Sequence, residues 1–312
     1  MGNIKLENGD ALKRTGTLVC IDGSYVIYHT LFSAVNEWTR DSPYSDCITD
    51  VDVEEEGFEQ VDITQYADFV ETLKGRFIEI LQKIKNMVSE YNSTMFSDTY
   101  GDMLFVLDPE HGSKSRSWRY KIYPEYKGQR KAAREKKPYD VYKIFAKSVE
   151  LLRENGDMER RFGMRIVSAD NAEADDIIAT VFMDEDNAGF NKFLVASDRD
   201  YLQLENVTQM NIMGDVVQIE QPYPELMKVT PQDYLLAKIL TGDTSDNITQ
   251  VFYKVGYKTA IKKYVSNLEF LNESLENDAI AMEKFNRNTR LIDFARIPKR
   301  IRAAAKNAIA LS

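Results

Sequence analysis

Apolar positions follow two patterns along the chain. Short runs rich in Val, Ile and Leu recur between longer stretches of helical period, and three of these runs finish on an acid: TLVCID on Asp22, MLFVLD on Asp108 and KFLVASD on Asp198. Continuous apolar runs separated by helices are the mark of strands buried on both faces, so the pattern predicts an α/β protein with a mostly parallel sheet. MRIVS, Met164 to Ser168, reads as a fourth strand. VTQMNIM and DVVQIE, turning at Met213, Gly214 and Asp215, read as a hairpin that would make the sheet mixed. Phe69, Leu73, Phe77, Ile80, Leu81, Ile84 and Val88 recur at i, i+3/i+4 within residues 66–90, which predicts an amphipathic helix lying on the sheet. From Pro231 onward the pattern is helical with breaks at Gly242 and Gly256, so residues 231–312 are expected to form a helical subdomain packed on a core of residues 1–230.

Between Arg40 and Asp62 nine acids face one base with little apolar periodicity, and residues 40–62 read as a solvated acidic insertion. Composition narrows the chemistry. The 312 residues are 43% apolar with 17 Tyr and 15 Phe, enough for a sizeable core and against disorder of the whole chain. A net charge of −10 means that contact with nucleic acid must come from local basic clustering. Two cysteines, Cys20 and Cys47, and two histidines, His29 and His111, rule out a disulfide framework or a Cys- or His-rich metal site. Any metal would be held by oxygen. No apolar stretch approaches the roughly 20 residues of a spanning helix, and the start lacks the apolar core of a signal peptide, so a soluble cytoplasmic protein in a reducing compartment is expected.

Acids cluster where such a sheet binds ligands, beyond the carboxyl ends of its strands. AEADDIIA carries Glu173, Asp175 and Asp176; SDRD carries Asp198 and Asp200; GDTSDN carries Asp243 and Asp246; with Asp22 and Asp108 they make nine candidate ligands. Each cluster has an ordinary explanation. Asn171 could cap a helix whose first turn carries the Glu173 to Asp176 acids, and Asp, Ser and Asn close turns. All of them arriving at one sheet edge is harder to attribute to capping, because carboxylates crowded together repel unless a cation neutralises them. Oxygen ligands of this kind suit Mg²⁺ or Mn²⁺.

Directly after Asp108, residues 113–147 hold twelve bases and three acids. A solvated charged helix is the ordinary reading of such a run. Here the bases, among them Arg116, Arg119, Lys127, Arg130, Lys131 and Arg134, are interleaved with Trp118, Tyr120, Tyr123, Tyr126 and Tyr139, a mix that holds a strand by its phosphates and by base stacking. Its place beside the acids suggests a segment that delivers a phosphodiester to bound metal.

IDGSYVIYHT, VLDPEHGSKSRSWRYKIYPEYKGQR, AEADDIIAT, ASDRDYLQL and GDTSDNI resemble, in order and spacing, the motifs of the 5′-nuclease (flap endonuclease) superfamily. The resemblance runs from about residue 17 to 265, and YKIYPEYKGQRKAARE with the late NTRLIDFARIP is most similar to the ribonuclease H of T-even phages. It implies a PIN-like 5′-nuclease fold with a helical arch in the basic segment. Asp22, Asp108, Glu173, Asp175 and Asp176 would surround one Mg²⁺, Asp200, Asp243 and Asp246 a second, with Asp198 near both and Mn²⁺ able to substitute. Lys127 and Arg130 would act on the scissile phosphate, beside Tyr126. VFYKVGYKTA would be a helix-hairpin-helix-like motif with Gly256 and Lys258 on duplex DNA, although Lys254 replaces its first glycine.

The implied activity is 5′-3′ exonuclease and flap endonuclease with ribonuclease H activity, removing RNA primers and 5′ flaps in phage DNA replication. Its substrates would be branched or nicked DNA and RNA–DNA hybrids with a 5′ end. A monomer is expected, with no membrane contact; a single-strand-binding protein or sliding clamp stays open as a partner. Two rivals are weighed. A non-catalytic nucleic-acid-binding paralogue would normally have lost ligands, and a phosphatase of the Asp-nucleophile type needs D-x-D where this chain has Asp22-Gly23-Ser24.

Overall fold

The structure, a computed structural model, describes residues 16–54, 57–94, 100–109 and 117–311. Strand β1 (Thr17–Asp22) leads into α1 (Gly23–Asp41), the short α2 (Asp46–Thr49) and the long α3 (Ala67–Thr94). Next come β2 (Tyr100–Val106), α4 (Gly128–Glu135), α5 (Val141–Arg153), β3 (Met164–Val167), α6 (Ala174–Phe182), β4 (Asn191–Val195) and β5 (Val207–Met210). The last quarter is helical: α7 (Pro231–Thr241), α8 (Tyr257–Ala260), α9 (Leu268–Glu276), α10 (Ala279–Ile292) and α11 (Lys299–Leu311).

The five strands form one sheet in the order β3-β2-β1-β4-β5, and every pairing is parallel. The mixed sheet expected from the hairpin pattern is therefore not formed. The turn at Gly214 exists, with Asn211 N–H on the Asp215 carbonyl at 2.9 Å, but the returning chain makes a single antiparallel bridge, Met210 to Val216.

Both faces are covered, and the two-residue period of the strands sorts their side chains. Val19, Ile21, Met103, Phe105, Phe193 and Val195 face α1, α3 and α5, while Cys20, Leu104, Val106 and Leu194 face α6 and α11. Helices α7 to α10 enclose a further cluster built on Tyr234, Ala237, Leu240, Ile261 and Tyr264. Phe294, Ile297, Ile301 and Ala305, which follow α10, return to the cluster under α6.

The chain reverses from one side of β1 to the other between β3 and β4, so the sheet edge beyond β1 is its switch point, where open α/β sheets bind ligands. Gly23 belongs to that point. A Cβ there would lie 2.8 Å from the Val106 carbonyl oxygen and closer still to the Phe105 ring, so α1 can leave β1 so near β2 only without a side chain.

The acidic segment is not simply solvated. Ile48 is 5% exposed and joins the core under α1, Val61 bridges Tyr139, and the Gln60 carboxamide donates to the carbonyls of Arg134, Lys137 and Tyr139 at 2.8–3.1 Å. The segment straps the distal end of the basic run to the body. No helix among the described residues is long and apolar enough to cross a membrane.

Candidate metal and phosphate site

Strand ends and helix starts deliver the acids. Asp22 closes β1 and caps α1, its carboxylate accepting from the Tyr25 N–H at 2.9 Å and from the Tyr201 hydroxyl at 3.1 Å. Asp108 follows β2; its N–H donates to Ser24 Oγ and its carboxylate accepts from the Ala174 N–H at 2.8 Å, tying the β2 loop to the start of α6. Glu173, not Asn171, caps α6: its N–H donates to Asp176 at 3.0 Å, and Asn171 instead takes a left-handed turn with φ 61°. Asp198 caps the turn after β4 and accepts from the Asp200 N–H. Asp243 caps the turn that holds Asp246. Gly242 permits this last loop, since its φ is 66° and a Cβ would collide with the Ile248 carbonyl.

Eight of the nine acids fall into three electrostatic groups, and Asp246 stands by itself. In the first, oxygens of Glu173, Asp175 and Asp176 lie within 4.8 Å of one another. Arg119 is set among them, its guanidinium 2.8 Å from Glu173, 3.0 Å from Asp176 and 3.2 Å from Asp175, and Lys127 also pairs with Glu173. Ser117 Oγ and the Tyr126 hydroxyl donate to Glu173, and the Trp118 indole donates to Asp176 at 3.0 Å. Burial would raise the Glu173 carboxyl, but Lys127 and Arg119 outweigh it and hold the group near 2. Asp175 rises well above the usual range, because burial and its acidic neighbours exceed what one shared guanidinium offsets.

In the second group Lys238 bridges Asp200 at 2.8 Å and Asp243 at 2.5 Å. Asp200 is nonetheless pushed up to about 7, by burial and then by Asp198. Asp243 is burdened by burial too, but the Lys238 ammonium beside it holds its carboxyl down. Asp246 lies apart, paired with Arg130 and accepting from Tyr126 at 2.9 Å.

The third group has no cation of its own. Asp22, Asp108 and Asp198 make no ion pair among the described residues. Burial first, and then Asp22, Asp175, Asp198 and Asp108, raise the phenol of Tyr201, whose hydroxyl is bound to Asp22. Asp22 is pushed up to about 7 by burial and by Asp108. Nine carboxyl groups share four cations, Arg119, Lys127, Arg130 and Lys238, and the upward shifts of Asp22, Asp175 and Asp200 register the shortfall: an all-oxygen donor set that fits hard divalent cations.

Two expected nucleic-acid contacts are corrected. Arg119 is 2% exposed, occupied by the carboxylates and by the Leu291 carbonyl, so it is an internal counter-ion and not a surface contact. Tyr126 is 1% exposed with its hydroxyl shared between Glu173 and Asp246, which leaves no ring face for a base. Trp118 and Tyr139, expected among the stacking aromatics, are likewise buried. Arg130 and Lys131 keep exposed side chains, while Arg134 lies over the rings of Tyr28 and Tyr142. Gly256 caps α8, and Lys258 is exposed beside Glu220. Arg116, Lys114 and His111 lie outside the described residues.

Two residues that the motif reading passed over hold the site together. Tyr201 sits inside the ASDRDYLQL motif, one residue past Asp200. Lys238 lies in the last turn of α7, five residues before Asp243, and that spacing was its only signal.

The model of the 5′-3′ exonuclease, N-terminal resolvase-like domain, matches residues 17–230. The chain is 27% identical over 212 residues to a 5′-3′ exonuclease of Buchnera aphidicola, covering 66% of each chain. It is 30% identical over 222 residues to DNA polymerase I of Streptococcus pneumoniae, spanning 66% of this chain and 24% of that one. Among solved structures it resembles the phage T5 5′-exonuclease with bound divalent zinc, at a TM-score of 0.55 and 14% identity over 94% of this chain and 98% of that one. A phage T5 flap endonuclease in a pseudo-enzyme–product complex with DNA and metal ions gives 0.56 and 15%, over 95% and 98%. The neighbours share its parallel sheet flanked by helices, and the domain match takes in most of the chain, including seven of the nine acids: the chain belongs to the 5′-3′ exonuclease family of metal-dependent nucleases.

Proposed function

We propose that this chain is a Mg²⁺-dependent 5′-nuclease that cleaves flaps and removes RNA primers from nicked or branched duplexes in phage replication, working as a monomer. The observation that carries the reading is the trio Asp22, Asp108 and Asp198: three carboxylates that make no ion pair among the described residues, at the switch point of a parallel sheet, with Asp108 in electrostatic reach of Arg130. Two ions held by the nine acids would supply a water of lowered pKa as nucleophile and stabilise the leaving oxygen.

The chain's own residues do the rest. Tyr201 and the Tyr25 N–H orient Asp22, the Ala174 N–H orients Asp108, and Trp118 fixes Asp176. Lys127 and Arg130 are paired with Glu173 and Asp246; a substrate phosphate offers them the same charge and would draw them onto the scissile bond. Residues 113–147 serve as the arch and 231–312 as the duplex-binding part. The kinship to T-even ribonuclease H rests on the YKIYPEYKGQRKAARE and NTRLIDFARIP stretches.

The test is purified protein with Mg²⁺ or EDTA on 5′-labelled flap, nicked and RNA-primed duplexes, reading product lengths. Short 5′ products in Mg²⁺ alone are expected. Binding without cleavage in any divalent ion would favour a non-catalytic paralogue.

A further inference from the structure

A cavity of about 500 Å³ opens on the far side of Trp118 from the carboxylates. Its lining is Trp118, Lys121, Ile122, Arg290, Arg296, Pro298 and Arg300. Three of these come from the NTRLIDFARIP stretch, which the metal site leaves unexplained. The volume falls in the ~300–1,000 Å³ range of small-ligand sites.

The charge here is one-sided. Lys121, Arg290, Arg296 and Arg300 are all exposed, and only Arg296 has an acidic partner among the described residues, Asp293 at 3.4 Å. Four cations converging on one cavity repel one another, and an anion between them relieves that repulsion. The apolar part is Ile122 and Pro298 with the edge of Trp118, which is 4% exposed and offers no open ring face, and it separates this cavity from a plain anion hole. Guanidinium forks around a small apolar floor match a nucleotide, with its phosphate on the rim and its sugar on the floor.

The position adds a consequence. Trp118 donates its indole N–H to Asp176 and lies under the Arg119 guanidinium, 4.9 Å from the ring centroid. One side chain therefore separates the cavity from the first carboxylate group.

We propose that this cavity binds one phosphate-bearing nucleotide of a single-stranded segment, as a second nucleic-acid contact separate from Lys127 and Arg130. Arg290 and Arg300 hold the phosphate, and Trp118 marks the wall between the held nucleotide and the carboxylates.

Binding of a fluorescent single strand to the full chain in EDTA tests this without any cleavage, so failure here leaves the nuclease reading standing. The double variant Arg290→Gln, Arg300→Gln should bind more weakly, and its slope of log K against log salt should become shallower by about 0.7 for each phosphate left without its cation. The weakening should add to that of Lys127→Ala, Arg130→Ala. An unchanged affinity and slope would overturn the proposal.

Trp118 gives a second readout, since Trp38 is the only other tryptophan and is 2% exposed. In a Trp38→Phe background, or in the wild type if that variant folds poorly, a nucleoside monophosphate should quench Trp118 and compete with the strand. If inorganic phosphate or a polyglutamate peptide competes as well at equal charge, the nucleotide assignment is wrong and the cavity is a general anion attractor.

Discussion

Asp22 and Asp200 both keep their protons up to about neutral pH, because each is buried beside another carboxylate. Their ordinary value is 3.8, so between about 4 and 7 the folded chain binds more protons than the unfolded one. These two groups therefore add stability as pH falls through 7 and remove it as pH rises. The metal-free protein should melt higher at about pH 6 than at about pH 8, Asp22→Asn should flatten that difference, and Mg²⁺ should restore the loss at the higher pH. Melting curves in EDTA and in Mg²⁺ decide it; a pH-independent gap between wild type and Asp22→Asn would be the contrary result. Asp200→Asn should lower cleavage by roughly 10²-fold or more and leave DNA binding largely intact, since its cation is the half-buried Lys238 and not an exposed base; Asp246→Asn should lower cleavage as far while releasing Arg130 from its carboxylate, so DNA binding should hold or tighten. Wild-type rates in either would remove it from the ligand set. The acids were readable because a strand end fixes where its last residue falls. Arg119 was not: one base among twelve carries no mark of facing inward, and the 3₁₀ turn that holds it is too short for a periodicity to show.

Helix α3 announced itself because its period is sustained for 28 residues, whereas the hairpin after β5 rested on two short runs and yielded one bridge. The acidic segment misled in the opposite direction. Nine acids drew attention from the few apolar residues, and those, Ile48 and Val61, make the tertiary contacts. Ile48→Ala should cost about 2 kcal/mol or more and lower the melting temperature by several degrees. Deleting residues 41–59 should cost at least as much; an unchanged melting temperature would return the segment to a solvated loop. Helix α4 leaves Lys127 in a left-handed conformation at φ 55°, with Arg130 one turn on, so both bases reach the acids from one short element. Replacing the pair with Ala should slow cleavage of every substrate and flatten the salt dependence by about 0.7–0.9 per phosphate contact. A variant that keeps rate and slope would make α4 a solvated face.

Across the whole molecule the α/β core was legible and the path of the last residues was not. Helix α11 reads as part of a helical subdomain, yet Ile301 and Ala305 pack under α6, whose first turn carries Asp175 and Asp176. Truncation before Lys299 should therefore lower the melting temperature and weaken Mg²⁺ binding together, by calorimetric titration; unchanged metal affinity would separate α11 from the site. The acids also emerge in a set order during synthesis. When residue 230 leaves the ribosome, the sheet and the Glu173 cluster exist, but Lys238, Asp243 and Asp246 are still to come. Asp200 then waits without its bridging ammonium, and Arg130 without its carboxylate. A stalled or clipped chain of that length would carry the basic surface and seven of the nine acids but not the Lys238 bridge or the Asp243–Asp246 turn, so the second group would close only after the helices beyond residue 230 have been made.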